Sequence, residues 1–293
     1  MTKIKLFLQE IRVEHTSFAL PFAYVGAVFA AHSVGLRTVL GQPLWLALIW
    51  ITLAVLGART AAMAANRYLD RDIDKRNPRT ARRALATGEL EPSVMLWGIA
   101  IGLLLLLVAA WQLNPLCVKL MPLAAIGVLI YPLCKRFTWL THFVLGVVDA
   151  LAPLGAFIGI TGTISVAAVL LFVAVTVWVA GFDIIYALMD LPTDTEQGIS
   201  SLPARFGASS GRWLPLVLHS IMVVALAAAG LLVHAGIFYY LGVVVAIVLV
   251  FYENHLFDRT GNVFVLNERI FSTNMRFSWG FLLTTILGFV INK

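Results

Sequence analysis

NRYLDRDID, residues Asn66 to Asp74, follows a long and almost wholly apolar run from Pro43 to Ala65. On a helix each residue turns about 100°, so Asn66, Asp70 and Asp74 share one face while Asp72 points away from it. Two carboxylates and an amide oxygen on one face form a hard anionic patch of the kind that holds Mg2+. Taken alone, the stretch reads better as a charged, solvated loop after a membrane helix. Its meaning depends on whether another part of the chain answers it.

The composition supplies the setting. Of 293 residues, 60% are hydrophobic and 12% charged, and the mean hydropathy of +0.92 excludes a soluble domain of this size. Apolar runs long enough to cross a bilayer recur. Nine are expected, centred on Thr16–Val34, Pro43–Ala65, Val94–Trp111, Leu116–Leu133, His142–Ile160, Ser165–Met189, Leu214–Val233, Ile237–Tyr252 and Phe277–Ile291. In lipid each is a helix, because a bare strand leaves its backbone groups unsatisfied. The expected fold is therefore all-α and polytopic. It is a single domain over 1–293, with nine helices around a central cavity open to the cytoplasmic side. Acidic stripes four helices apart suggest two four-helix units, about 16–134 and 142–253, plus a ninth helix.

The basic residues test that count. With a cytoplasmic N-terminus, seventeen of the 21 Lys and Arg fall on the inside, and Arg37, Lys119 and Lys293 fall outside with the C-terminus; Arg59 lies within a span. This follows the positive-inside rule and places the chain in the cell's inner membrane as a multi-pass protein. The net charge of +6 then reports topology and contact with anionic lipid, not nucleic acid. No cleavable signal precedes the first span. Ile4, Leu8 and Ile11 instead mark a short amphipathic helix on the cytoplasmic surface. Cys117 and Cys134 sit near opposite ends of the fourth span and cannot pair with each other.

The second acidic stripe ends the sixth span, GFDIIYALMDLPTDTEQG, residues 181–198. Asp183, Asp190 and Asp194 are at helical spacing with Tyr186 between them, and Pro192 is expected to leave Asp194 on a turn. Asp183 lies inside the apolar run, where a carboxylate must be paired, protonated or metal-bound. By the charge count both stripes emerge on the same side, which is hard to explain for two unrelated solvated ends. Other polar groups cluster there. Arg59 lies two turns before Asn66 on the same face, and an arginine inside a span is expected to face a cavity or partner. Pro78 should end the helix at Asn77. The basic run beyond it, with Arg67 before it, suits a diphosphate, whose oxygens take both metal and guanidinium. Asp149 is a lone intramembrane carboxylate with no evident partner. The segment from Glu253 to Arg276 reads as a polar cytoplasmic connection, and His219 as a satisfied histidine.

Two facing carboxylate clusters can hold Mg2+ and, through it, a diphosphate leaving group. An allylic cation released there must be kept from water, which an apolar helical cavity does.

The two motifs resemble those of the UbiA superfamily of intramembrane aromatic prenyltransferases. Asn66, Asp70 and Asp74 match NxxxDxxxD; Asp183, Tyr186, Ala187, Asp190, Asp194 and Gly198 match DxxYAxxDxxxDxxxG. NPRTARR at Asn77–Arg83 and YPLCKRFTW at Tyr131–Trp139 are also similar to the family's connecting segments, and the likeness covers nearly the whole chain. The resemblance implies Mg2+ held by Asp70, Asp74, Asp190 and Asp194 with Asn66. It implies diphosphate contacts from Arg67, Arg79, Arg83, Lys135 and Arg136, with Tyr131 and Tyr186 nearby and Asp183 among the catalytic carboxylates. The implied substrates are a polyprenyl diphosphate and an aromatic acid, either 4-hydroxybenzoate or 1,4-dihydroxy-6-naphthoate, on the routes to ubiquinone or menaquinone. Arg59 is the candidate for steering a carboxylate or diphosphate. Ala84 departs from the proline common in 4-hydroxybenzoate enzymes. Haem or chlorophyll-tail prenylation and secondary transport are the alternative readings.

Overall fold

The computed structural model describes residues 3–12, 16–34, 38–39 and 42–291. The chain runs as α1 (Lys3–Glu10), α2 (Thr16–Val34), a two-residue antiparallel pair β1 (Thr38–Val39) and β2 (Gln42–Pro43), and then α3 (Leu44–Arg76). After it come α4 (Ala84–Thr87), α5 (Pro92–Leu113), α6 (Pro115–Cys134), α7 (Thr141–Thr161) and α8 (Val166–Ala187). Short α9 (Leu191–Gln197) and α10 (Leu202–Phe206) lead to α11 (Ser210–Leu232), α12 (Ile237–Arg259) and α13 (Val263–Val290). The architecture is the expected all-helical, membrane-spanning one. Among the described residues, seven helices, α3, α5 to α8, α11 and α12, are long and apolar enough to cross a bilayer. The remaining two expected spans correspond to α2, whose described apolar stretch Phe18–Val34 is shorter, and α13, whose first half carries polar residues. Arg37 and Lys293, expected on the outer side, lie outside the described residues.

The outward surface carries large apolar side chains such as Trp97, Ile101, Leu104 and Trp111 on α5, and Val224 and Leu231 on α11. Inside, small residues let helices approach, as expected where lipid gives no hydrophobic drive for helix association. Gly57 on α3 meets Gly102 on α5 so closely that a Cβ on either would come within 2.6 Å of the other's backbone carbonyl oxygen. Gly146 on α7 is as tightly apposed to the carbonyl of Thr176 on α8. Polar groups tie the ends. Asn114 caps α6, its Oδ1 accepting from the backbone of Leu116 and Cys117, while its Nδ2 donates to the carbonyls of Ile158 and Gly159 at the far end of α7.

As expected, the stretch Asn66–Asp74 is helical, and α3 runs unbroken to Arg76, where Asn77 caps it before Pro78. Two boundaries differ from the sequence reading. The break in the second motif comes earlier than Pro192: α8 stops at Ala187, Asp190 caps α9, and Asp194 is in that short helix, not on a turn. Proline at the second position of α9 starts a helix as readily as it interrupts one. The segment from Glu253 to Arg276 is no loose connection. It is the end of α12 and the first half of α13, with 260–262 between them. Glu253, Asn267 and Asn274 within it are buried and paired. Glu253 Oε2 lies 2.6 Å from His219 Nδ1. Asn274 donates to Glu253 Oε1 at 2.5 Å and accepts from the indole of Trp178 at 2.6 Å. Buried polar groups need such partners, and this network joins α8, α11, α12 and α13.

The N-terminal helix forms over Lys3–Glu10, with Ile4 and Leu8 exposed and Ile11 buried. Glu10 anchors it: its Oε1 accepts from the backbone of Ala84 at 2.5 Å, and its carbonyl accepts from Arg67 Nε at 3.0 Å. Cys117 and Cys134 are both free.

Candidate functional site

A cavity of about 300 Å³ opens where α3, α6, α7, α8 and α9 converge at the motif-bearing end of the bundle. Asn66, Asp70 and Asp74 line it from α3; Asp183, Tyr186 and Asp190 from α8 and its end; Asp194 from α9. The two stripes therefore face one space. The helical prediction for the first is accurate: Asp70 and Asp74 are buried, whereas the Asp72 side chain is 64% exposed.

Most of these carboxylates are held by a cation of the same chain. Lys135 Nζ lies 2.5 Å from Asp70 Oδ2, and Asn66 donates to the same oxygen at 3.0 Å. Arg83 Nη1 lies 2.7 Å from Asp74 Oδ2. Arg79 takes Asp190 with two nitrogens, Nε at 2.8 Å and Nη2 at 2.5 Å, and Asn77 adds a third bond at 2.7 Å. The fork of Arg79 matches a carboxylate as it would a phosphate. Burial works against its charge, yet the bond to Asp190 wins and raises its pKa. Asp194 differs. Burial first, then the neighbouring Asp190, push its carboxyl up to about 6, against a pull from Lys135 and a hydrogen bond from Ser201.

Arg67 and Arg136 take supporting positions. Arg67 is buried and donates to Asn66 Oδ1 at 2.7 Å, so the amide oxygen of Asn66 is turned to Arg67 and its NH2 to Asp70. Arg136 donates to the carbonyl of Leu69, stands 4.0 Å from Asp70 Oδ1 and is half-exposed, away from the cavity lining. Tyr131 is buried in the wall, and Tyr186 accepts from Arg79 at 3.3 Å.

Two pairs were not visible in the sequence. Arg59 and Asp149, two lone intramembrane charges, lie 3.8 Å apart. Arg59 is seven residues before Asn66 on α3, and Asp149 is seven after His142 on α7, so helix register brings them to one depth. No single-helix pattern could disclose that. His142, overlooked in the sequence, is buried with Nδ1 2.7 Å from Asp183 Oδ2. Phe18, Phe182 and Phe271 complete an aromatic wall, Phe18 stacking on Trp178 at 4.6 Å between ring centres.

Arg59 and Asp149 also border a second cavity of about 280 Å³, lined almost wholly by apolar residues of α3, α5, α6 and α7. The ion pair thus stands between a polar space and an apolar one.

Chemically, the polar cavity offers hard oxygen donors and guanidinium groups at its mouth, and one further arginine deeper in. Among the described residues, no three His, Cys, Asp or Glu side chains cluster closely enough to hold a metal ion by themselves.

Residues 19–263 match the model of the UbiA prenyltransferase family. The chain is 34% identical over 222 residues to the 4-hydroxybenzoate octaprenyltransferase of Alkalilimnicola ehrlichii, covering 74% of this chain and 73% of that one. It is 28% identical to that of Francisella tularensis, covering 84% of each. Its fold is similar to the apo structure of a UbiA homologue from Aeropyrum pernix, with a TM-score of 0.79, 28% identity and coverage of 96% and 98%. A UbiA homologue from Archaeoglobus fulgidus, solved bound to GPP and Mg2+, gives a TM-score of 0.71 at 19% identity, covering 96% and 99%. With both of its acidic motifs facing one cavity inside a multi-pass helical bundle, this chain belongs to the UbiA prenyltransferase family and is an integral membrane prenyltransferase.

Proposed function

We propose that this enzyme transfers a polyprenyl group from a polyprenyl diphosphate to an aromatic acid, 4-hydroxybenzoate or 1,4-dihydroxy-6-naphthoate, in ubiquinone or menaquinone synthesis. The observation that carries this reading is the graded polarity of one cavity. Arg79, Arg83 and Lys135 stand at its mouth, each on a carboxylate that an incoming diphosphate can replace. Arg59 stands deeper, and its buried Nε has no hydrogen-bond partner, so it has donor capacity for a carboxylate. About 300 Å³ is near the lower end for ligand pockets, which suits one or two rings better than a macrocycle.

The donor set fits a hard divalent cation. Oδ1 of Asp70 is buried without a hydrogen-bond partner, as an oxygen reserved for a ligand would be. Asp70 and Asp74 would bind from one wall, Asp190 and Asp194 from the other, with Asn66 orienting Asp70. Because the protein groups three-ligand clusters nowhere among the described residues, substrate oxygens and water must complete the shell, as is usual for Mg2+. When bound, Mg2+ neutralises charge on the departing diphosphate. The homologues that carry GPP and Mg2+, or are named for octaprenyl transfer, support the same assignment.

The chain's own residues supply the rest. Arg79, Arg83 and Lys135 draw the diphosphate to the mouth and stabilise its charge as the allylic carbon–oxygen bond breaks. Arg59 orients the acceptor ring below. Phe18, Phe182 and Phe271 keep water from the cation and present aromatic faces to it. The motif-bearing end faces the cytoplasm of an inner membrane in this reading, as the seventeen basic residues on that side support.

The test is transfer by membranes containing the protein, given Mg2+, a polyprenyl diphosphate and each acid in turn. A prenylated acid that disappears on chelation is expected. Absence of product with both acids overturns the acceptor assignment.

A further inference from the structure

We infer that Asp183 is the base that removes the acceptor's ring proton, and that His142 is its positioning residue. The inference rests on the polyprenyl-transfer reading above and extends it to a step that reading leaves without an agent.

Aromatic substitution needs a proton acceptor. The prenyl carbon–oxygen bond breaks and its electron pair leaves with the diphosphate. A ring carbon of the acceptor bonds the prenyl carbon with a pair of π electrons. That ring carbon must then lose its hydrogen as a proton, returning the C–H pair to the ring. No oxidant or further reactant is involved, only a base beside the ring.

Most carboxylates of the cavity are committed elsewhere. Asp70, Asp74 and Asp190 are bound by Lys135, Arg83 and Arg79, and Asp149 faces Arg59. Asp194 lies on α9 at the mouth, beside Asp190. Asp183 has a different partner. His142 is 3% exposed, with Nδ1 2.7 Å from Asp183 Oδ2 and Nε2 3.2 Å from the backbone nitrogen of Leu202. A backbone amide only donates, so Nε2 accepts. The neutral ring then carries its proton on Nδ1 and donates it to Asp183. Leu202 is itself fixed as the first residue of α10, behind the Ser201 cap. The histidine's lone pair is thus already used. It is unsuited to act as the base, and it fixes Asp183 in place through one oxygen while the other is left for the cavity.

Depth agrees with this role. Asp183 sits one turn inside the end of α8, with Asp190 at the mouth beyond it, and Arg59 lies near the middle of α3, two turns before Asn66. A ring held by its carboxylate on Arg59, with its reacting carbon toward the diphosphate mouth, would lie in the same cavity that Asp183 lines. Phe182 and Tyr186 flank the same face of α8.

The experiment uses the full chain in membranes with Mg2+, saturating polyprenyl diphosphate, and whichever of the two acids the wild type prenylates, unlabelled or deuterated at its ring positions. For the wild type the isotope effect on turnover should be near unity, with carbon–carbon bond formation limiting. Asp183→Asn should lose about 10²-fold or more in turnover, show a primary isotope effect, and keep the wild-type KM for polyprenyl diphosphate. His142→Ala should move the same way. His142→Asn, whose amide N–H takes the place of Nδ1–H, should recover part of the rate and lower the isotope effect again. An Asp183→Asn enzyme that is slow without an isotope effect overturns the inference, as does one with full activity; the departing diphosphate would then be the base. His142→Asn no better than His142→Ala removes the positioning role. A wild type inactive with both acids refutes the underlying acceptor reading instead.

Discussion

Lys135, at the end of α6, places its Nζ 2.5 Å from Oδ2 of Asp70, a carboxylate 2% exposed on α3. The first acidic motif is therefore neutralised from within the chain before any ligand arrives. Losing the lysine has two effects, and they separate. Lys135→Ala leaves a buried carboxylate without its charged donor, costing about 1.5–3 kcal/mol. It also removes a cation from the proposed diphosphate site. The apo protein's thermal midpoint should fall and turnover should drop about 100-fold or more. Lys135→Arg should recover most of the stability and less of the rate, because a planar fork does not replace a point charge. Equal recovery of both would contradict a substrate role.

Asp70 and Asp72 are two positions apart and differ in everything that matters. Asp72 is 64% exposed and pairs only with Arg71 and Lys75 at 3.8 Å or more. Asp72→Asn should change stability by no more than about 0.5 kcal/mol and leave prenyl transfer near wild type. Asp70→Asn should abolish Mg2+-dependent transfer. Similar losses in the two variants, assayed side by side, would refute the site as drawn.

Asp194 sets an acid limit. Its carboxyl is pushed up to about 6 by burial and by Asp190, from 3.8. The folded chain therefore binds this proton more tightly than the unfolded one. Its contribution to stability is fully present below about 3.8 and declines as pH rises through 6. The proposed Mg2+ ligation runs the opposite way, because it needs the ionised form. Apparent Mg2+ affinity, titrated in the presence of a diphosphate, should fall about tenfold per pH unit below 6 and level off above it. An acid limb near pH 4 would show that Asp194 is not the controlling group.

Glu253 is 3% exposed and joins His219 on α11 to Asn274 on α13. Glu253→Ala strands both partners, and breaking such a pair costs about 3–5 kcal/mol. Asn274 also holds the indole of Trp178, on which Phe18 of the cavity wall stacks. The variant should be clearly less thermostable in detergent and only secondarily slower. A thermal midpoint equal to wild type would mean that the network is dispensable.

Much of this was legible in the chain. Hydropathy located the helices because lipid permits few other structures, and spacing sorted Asp70 and Asp74 from Asp72 because a continuous helix preserves its angular register. The misreadings share a cause. Glu253, Asn267 and Asn274 looked like a polar connection, since composition reports how polar a segment is and not where its partners are. They lie on buried faces and are satisfied by His219, the Ile185 carbonyl and Trp178. Asp149 looked solitary because Arg59 is ninety residues away in the chain and meets it only through the packing of α3 and α7. His142 gave no sequence signal at all, being one histidine at a helix start. A pairing across helices is information about tertiary contact, and one sequence does not contain it.

The Arg59–Asp149 pair has an electrical consequence. A cavity that admits charged substrates part-way into a bilayer thins the insulating layer, and a transmembrane potential acts with about 2.3 kcal/mol per elementary charge per 100 mV across what remains. Here the charged space stops at two mutually neutral side chains, and an apolar chamber lies beyond them. The voltage should therefore drop across that chamber. Diphosphate and acceptor then meet, react and leave on one side of the dielectric. Prenyl transfer should run at the same rate in energised and de-energised vesicles, and the open site should conduct no ions.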